Sequence, residues 1–404
     1  RSAWSISSEL GAKAVEQTRA ILEEASATPS TPDERRLGDF YAAFMDEAAI
    51  ERRGLAALQP LLDQIGTVND RATLARQLGL MLRADVDPLN ATNFHTSNLF
   101  GLWVAQDFNQ PTRNMAYLLQ GGLAMPDREY YLDGSDRMAD IRARYGQYVA
   151  TVLRLGGATA AEAEAQARRV VALERRIARA HATREQSVDV VRANNVWRRV
   201  EFDTRAPGLA WDEFFAAAGL ANQAEFIVWH PDAVAGASAL AAAEPLDDWK
   251  LYLRYIVLSR WSPLLPRAFA DEAFAFFGTT LSGTPKQSDR WRRAVYAAES
   301  MGDAVGRLYV ERHFPSEARR AAEAMVADIK AAFADRVDRL TWMTPETRAR
   351  AKEKVQTLIV GVGYPDRWRD YSGLTVSRDD ALGNALRAEE FEYRYRIGRL
   401  GAPV

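Results

Sequence analysis

Four histidines, His95, His181, His230 and His313, are the first place to look for metal chemistry. No two stand four residues apart, so the helical H-E-x-x-H arrangement that sets two imidazoles on one zinc ion is absent. His181 and Glu185 have i, i+4 spacing and could share an ion. Two ligands without a third do not complete such a site. The pair therefore reads first as helix-surface neighbours and only second as half of a metal centre. The other three histidines read as packing or surface residues. Nucleophile chemistry is equally bare: there is no Cys, no G-x-S-x-G elbow, no S-x-x-K set and no glycine-rich phosphate loop. Asp and Glu are abundant, but they are spread over helical faces, and no acid/base pair stands out. The sequence nominates no catalytic and no metal-ligating residue, and its substrate-binding residues are unassigned.

One local oddity recurs: Trp197-Arg198-Arg199, Arg290-Trp291-Arg292-Arg293 and Arg367-Trp368-Arg369. Stacking aromatics beside cations could grip single-stranded nucleic acid. The plainer reading puts each Trp in a core or an inter-helix seam, with Arg pairing to carboxylates such as Asp366 and Asp370. A net charge of −2 favours the second, so nucleic acid is not expected as a partner. Asn90-Ala91-Thr92 fits an N-glycosylation acceptor, a pattern that arises too often by chance to carry weight.

The elements that would position any site are mostly helices. The chain has 404 residues, 48% of them hydrophobic and 26% charged, an ordinary globular balance. At roughly 100–200 residues per domain that length holds two to four structural units. No run approaches the ~18 apolar residues of a membrane helix, and Arg1-Ser2-Ala3-Trp4 shows no signal-peptide pattern. From Ser316 to Leu340, the residues Ala322, Met325, Val326, Ile329, Phe333, Val337 and Leu340 recur at three- and four-residue steps. They predict a long amphipathic helix capped by Ser316. Thr344-Pro345-Glu346 and Thr31-Pro32-Asp33-Glu34 read as helix starts with a Thr cap and Pro in the first turn, and Glu34 is placed for a capping box. Thr159-Ala160-Ala161-Glu162 opens another helix, its inner face carrying Ala163, Ala167, Val170, Leu173 and Ile177. Strand signals are few. Leu102–Phe108 and Met115–Leu119 flank Asn109-Gln110-Pro111-Thr112 and suit a short hairpin. The expected fold is mainly α, with at most small β elements.

Several stretches in order carry a resemblance. They are Gly38-Asp39-Phe40-Tyr41-Ala42-Ala43-Phe44-Met45-Asp46, then Gln120-Gly121-Gly122-Leu123-Ala124-Met125-Pro126-Asp127-Arg128-Glu129-Tyr130-Tyr131-Leu132. Leu281-Ser282-Gly283-Thr284-Pro285 with Arg290-Trp291-Arg292-Arg293 follows, then Gly306-Arg307-Leu308-Tyr309-Val310 with Phe314-Pro315. The strongest block is Leu340-Thr341-Trp342-Met343-Thr344-Pro345-Glu346-Thr347, then Gly363-Tyr364-Pro365-Asp366-Arg367-Trp368-Arg369-Asp370-Tyr371 and Gly383-Asn384-Ala385-Leu386-Arg387. Together they resemble the neprilysin-like (M13) family of zinc metallopeptidases across nearly the whole chain.

The resemblance implies a large helical domain of a two-domain zinc endopeptidase. In that family the H-E-x-x-H helix and the downstream Glu ligand lie C-terminal to the stretch matched here, and Gly401-Ala402-Pro403-Val404 is similar to the family's "kPV". Zn2+ is therefore expected on a C-terminal catalytic portion, which becomes the expected partner along with a peptide substrate. In such an enzyme metal-bound water attacks the peptide carbonyl. This chain alone is expected to be inactive and to form the cavity wall that gates substrate. The implied layout is 1–30 as an N-terminal helix and linker, 31–376 as the helical substrate-enclosing domain, and 377–404 as a connecting segment. Two departures stand out. The family's YN dipeptide appears as Asn194-Asn195, and the arginines that hold a substrate carboxylate in relatives align with Ala3 and Gly11, although a slip of two residues restores Arg1. A periplasmic or secreted bacterial location is implied by resemblance only. The alternative is a non-catalytic helical peptide- or protein-binding module that lost the peptidase half.

Overall fold

In the computed structural model, residues 5–404 are described. The chain divides into two compact units, one built from the stretch up to Met45 with Asp289–Arg378, the other from Asp46–Ser288 with Asp379–Val404. Helices dominate both, and the only sheet among the described residues has four strands, so the fold is mainly α.

In the first unit the helices Ile6–Ala27 and Pro32–Met45 form a hairpin. It buries Ile21, Leu22 and Ala25 on one arm and Leu37, Phe40, Tyr41 and Phe44 on the other. The second arm begins at the expected capping box: Thr31 Oγ1 accepts from Glu34 N at 3.2 Å, and Glu34 Oε2 accepts from Thr31 N at 2.9 Å. These bonds satisfy backbone donors that a helix start leaves open. Helix Pro345–Gln356 starts as expected, with Thr344 Oγ1 accepting from Thr347 N at 3.1 Å. Helix Ser316–Asp338 also forms, but its N-cap is Pro315 rather than Ser316 and lacks a side-chain bond. Its apolar stripe is not an inner face. Only Val337 is buried, while Met325, Ile329 and Phe333 are 61%, 61% and 51% exposed.

The second unit is organised around the sheet, ordered β1 (Phe100–Gln106), β2 (Asn114–Gln120), β4 (Glu225–Val228) and β3 (Val196–Arg198). β1 and β2 make the expected hairpin, in register from Phe100↔Gln120 to Gln106↔Asn114. β2 pairs with β4 in parallel through Tyr117↔Ile227 and Leu118↔Val228. Every residue of β2 is buried. With the two-residue period of a strand, Met115, Tyr117 and Leu119 pack with Trp103, Ile227 and Trp229, while Ala116 and Leu118 join the main core. That core includes the antiparallel helices Asp136–Leu155 and Ala160–Ala180. The second carries the Thr159/Glu162 capping box and buries Ala163, Ala167, Val170, Leu173 and Ile177, as its sequence pattern requires.

Candidate functional site

The most elaborately held stretch of the second unit is the turn that follows β2, Gln120–Met125. A Cβ on Gly121 would overlap the carbonyl oxygen of Asn98, and Gly122 has φ +90°, a region that disfavours side chains. The two glycines let the backbone leave the sheet where no other residue fits. Its polar groups are then met by side chains from far along the chain. Gln120 N donates to His230 Nδ1 at 3.2 Å. Tyr252 OH donates to Gly122 O at 2.8 Å. His181 Nε2 lies 2.9 Å from Gly121 O, and His95 Nε2 lies 3.0 Å from Leu123 O. A carbonyl oxygen only accepts, so both Nε2 atoms carry the proton. Ala124 N donates to Glu174 Oε1 at 3.0 Å, and Met125 N donates to Tyr131 OH at 3.1 Å.

These contacts fix the charge states. Burial lowers the pKa of His181 to about 4, with its bond to Gly121 opposing and the Arg128 guanidinium reinforcing that shift. Burial likewise lowers that of His230 to about 3. Because His230 Nδ1 accepts from the backbone, its Nε2 holds the proton and donates to Ser187 Oγ at 3.0 Å. Ser187 Oγ in turn donates to Thr183 O at 2.8 Å, and its carbonyl accepts from Trp229 Nε1. Glu174 is wholly buried. Burial raises its pKa to about 7, against the bonds donated by Tyr145 OH at 2.6 Å, Ala124 N and Tyr131 OH at 3.0 Å. Tyr255 OH extends the network by donating to Tyr145 OH at 2.9 Å.

Beside this turn lies a cavity of roughly 190 Å³, lined among others by Phe94, His95, Gln120, Arg128, His181 and Ser187. Its histidines are neutral and already bonded to backbone or hydroxyl groups. The arrangement can present a shaped polar wall; it holds no nucleophile–base pair.

His181 and Glu185 do not form a metal centre. The His181 ring faces Gly121, whereas Glu185 is exposed and its carboxyl is held below the usual range by local bonds at the Thr183 turn. No group of three His, Asp or Glu able to hold an ion occurs among the described residues. The donor set of this chain does not fit zinc. His313 lies in the first unit, where its Nδ1 is 3.3 Å from Gln17 Nε2.

The Trp–Arg pairs are used internally. Trp197 is buried in β3 beneath the Arg205 guanidinium, 5.4 Å from the ring centre. Trp291 is sandwiched by Arg19 at 4.5 Å and Arg292 at 4.7 Å. Trp368 stacks on Tyr364, and Arg319 covers that ring while pairing with Asp366 at 3.2 Å. Asn194 exchanges two amide hydrogen bonds with Asn109, and Asn195 donates to Arg192 O and Val228 O. Asn90 and Thr92 share a turn in which Thr92 has φ +53°. Gly11 sits in helix Ile6–Ala27 with open space around it, whereas Arg1 and Ala3 lie outside the described residues.

No local signal in the sequence marked the Gln120–Met125 turn as a convergence point. Its Gly-Gly pair was visible, but the partners come from residues 95 to 252.

Comparison with known proteins adds what the geometry leaves open. The family profile described as peptidase family M13, N-terminal part, matches residues 1–365. Neprilysin-3 of Drosophila melanogaster is 25% identical over 407 residues, covering 96% of this chain and 51% of its own length. Membrane metallo-endopeptidase-like 1 of Mus musculus is 27% identical over 398 residues, covering 91% and 51%. The chain thus spans about half the length of these relatives. The cryo-EM structure of the Mycobacterium tuberculosis zinc metalloprotease Zmp1 in its open state matches with a TM-score of 0.89 and 34% identity. That match covers 98% of this chain and 60% of the other. The inhibitor complex of the same protease gives 0.88, 33%, 98% and 59%. With the profile running through nine-tenths of its residues, this chain belongs to peptidase family M13.

Proposed function

We propose that this chain is the N-terminal, helical part of a zinc-dependent endopeptidase that hydrolyses peptides inside an enclosed cavity. The observation that carries the reading is the likeness to the zinc metalloprotease Zmp1 over 98% of the chain at 34% identity. In this reading the catalytic zinc and its ligands reside on a C-terminal portion, because the donor set of these residues does not fit the metal. What this chain supplies is wall: it encloses the substrate, orients it and excludes water from the reaction. The densely bonded Gln120–Met125 turn suits that work, since a wall positions only as well as its own backbone is fixed. The protein would act outside the cytoplasm, in the periplasm or after secretion.

The test is the encoded sequence beyond Val404, followed by zinc analysis and a peptide-cleavage assay on the full product. The expected result is an H-E-x-x-H helix, stoichiometric zinc and cleavage, with none of that activity from residues 1–404 alone. A reading frame that stops at Val404 sinks the peptidase reading and leaves a non-catalytic binding module.

A further inference from the structure

Helix Ser316–Asp338 presents an apolar stripe to solvent. Met325, Ile329 and Phe333 follow one another at four-residue steps, and each is more than half exposed. Such a stripe is the pattern of a helix face that something covers. Nearby, Leu358-Ile359-Val360 belongs to no helix or strand, and Ile359 is 96% exposed. Lys330 Nζ, one residue beyond Ile329, donates to Leu358 O at 3.1 Å and ties this run to the helix. Trp342, just past the helix end, is 74% exposed. Elsewhere this chain buries its tryptophans: Trp103, Trp197, Trp211, Trp229, Trp249 and Trp261 are all in cores.

Isolated surface apolar residues need no explanation, but a contiguous patch of large ones marks an interaction surface. The question is what covers it. The first unit has no further element to offer: its remaining helices already pack as the hairpin and its neighbours. The relatives supply the occupant. They are about twice as long as this chain, and the Zmp1 chain also extends well beyond the matched portion. We infer that the face formed by Met325, Ile329, Phe333, Trp342 and Ile359 is the docking surface for the polypeptide C-terminal to Val404. The inference rests on the proposed function, which requires that such a portion exists.

A covered face of this kind also joins the two jobs. Burying three large side chains and an indole is worth on the order of several kcal/mol before entropy costs. The helical part would then hold the catalytic part by an apolar seam rather than by scattered ion pairs.

Hydroxyl-radical footprinting of the full encoded protein tests this without any substitution, because Trp and Met are readily oxidised where solvent reaches them. Intact mass first establishes whether the chain continues past Val404. In a longer chain, Trp342 and Met325 should oxidise within about twofold of the core residues Trp249 and Met301. If they oxidise tenfold faster, the face is open and the docking inference is overturned, while the peptidase reading stands. If protection depends on protein concentration, a second copy covers the face, which also overturns it. A protein that ends at Val404 removes both the occupant and the reading on which it rests. A Phe333→Asp variant of the longer chain adds a second readout: Trp342 oxidation should rise at least fivefold as the seam loosens.

Discussion

The hydroxyl of Tyr145 donates a 2.6 Å hydrogen bond to Oε2 of Glu174, a carboxyl with no exposed surface at the centre of the second unit. Tyr131 and Ala124 reach the other oxygen, so each is committed. Burial nonetheless dominates and holds the carboxyl protonated to about pH 7.

That protonation makes a signed prediction. Between the ordinary value of 4.5 and about 7, the folded protein binds a proton at Glu174 that the unfolded chain has lost. Stability from this group is therefore present below pH 4.5 and declines as pH rises through 7, by about 3 kcal/mol in all. Glu174→Gln does not titrate. Denaturant melts of both proteins from pH 4.5 to 7.5 should show wild type losing ground to the variant as pH rises. Parallel curves would mean the carboxyl is already ionised in the fold.

The histidines work in the opposite sense. His181 and His230 have folded values of about 4 and about 3, below the ordinary 6.5, so unfolding takes up protons as pH falls from 6.5. Their stabilisation is complete above pH 6.5 and is lost on acidification, with His181 alone contributing about 3 kcal/mol. Protonating His230 also removes the acceptor of Gln120 N. His230→Asn should lower stability at pH 7.5 and flatten the acid limb between pH 6.5 and 4. An unchanged acid limb would place the acid sensitivity elsewhere.

Gly121→Ala should be severe. The added methyl overlaps Asn98 O and crowds Thr96, and backbone cannot step aside cheaply. A loss of about 3 kcal/mol or more is expected from such overpacking. Gly134→Ala, where nothing lies within 4 Å of the new atom, should change stability by less than about 1 kcal/mol. Urea midpoints of the two variants give the comparison directly.

Thr92 holds φ +53°, a conformation in which a β-branched side chain is strained. Thr92→Gly should raise stability by about 1 kcal/mol, partly offset by the freer unfolded chain. Thr92→Ala keeps a Cβ and should gain little. Equal gains in both variants would trace the effect to the side chain rather than to the backbone.

What was legible in the sequence was local. Capping at Thr31, Thr159 and Thr344, and the hairpin around Asn109–Thr112, all depend on residues within a few positions of one another, and each formed. The family membership was legible for a different reason: short motifs in a fixed order survive even where no one motif decides. Two things were not legible. β4 joins β2 in parallel across more than a hundred residues, and Glu225–Val228 alone is too short to announce a strand. The stripe from Met325 to Phe333 has the right period for burial, but period tells only that a face is apolar, not whether this chain contains the surface that meets it.

The turn after β2 also sets an order of events during folding. Its anchors lie 110 residues away at His230 and 130 away at Tyr252. The β1–β2 hairpin can close as soon as it is synthesised, because its contacts are local. Gln120–Met125 cannot settle until the chain has been made through Tyr252, and until then two glycines and several unpaired backbone groups stay loose. The same distant anchors that stiffen the finished wall therefore make its assembly late, and a newly made chain stalled before Tyr252 would carry a completed hairpin on an unfinished hinge.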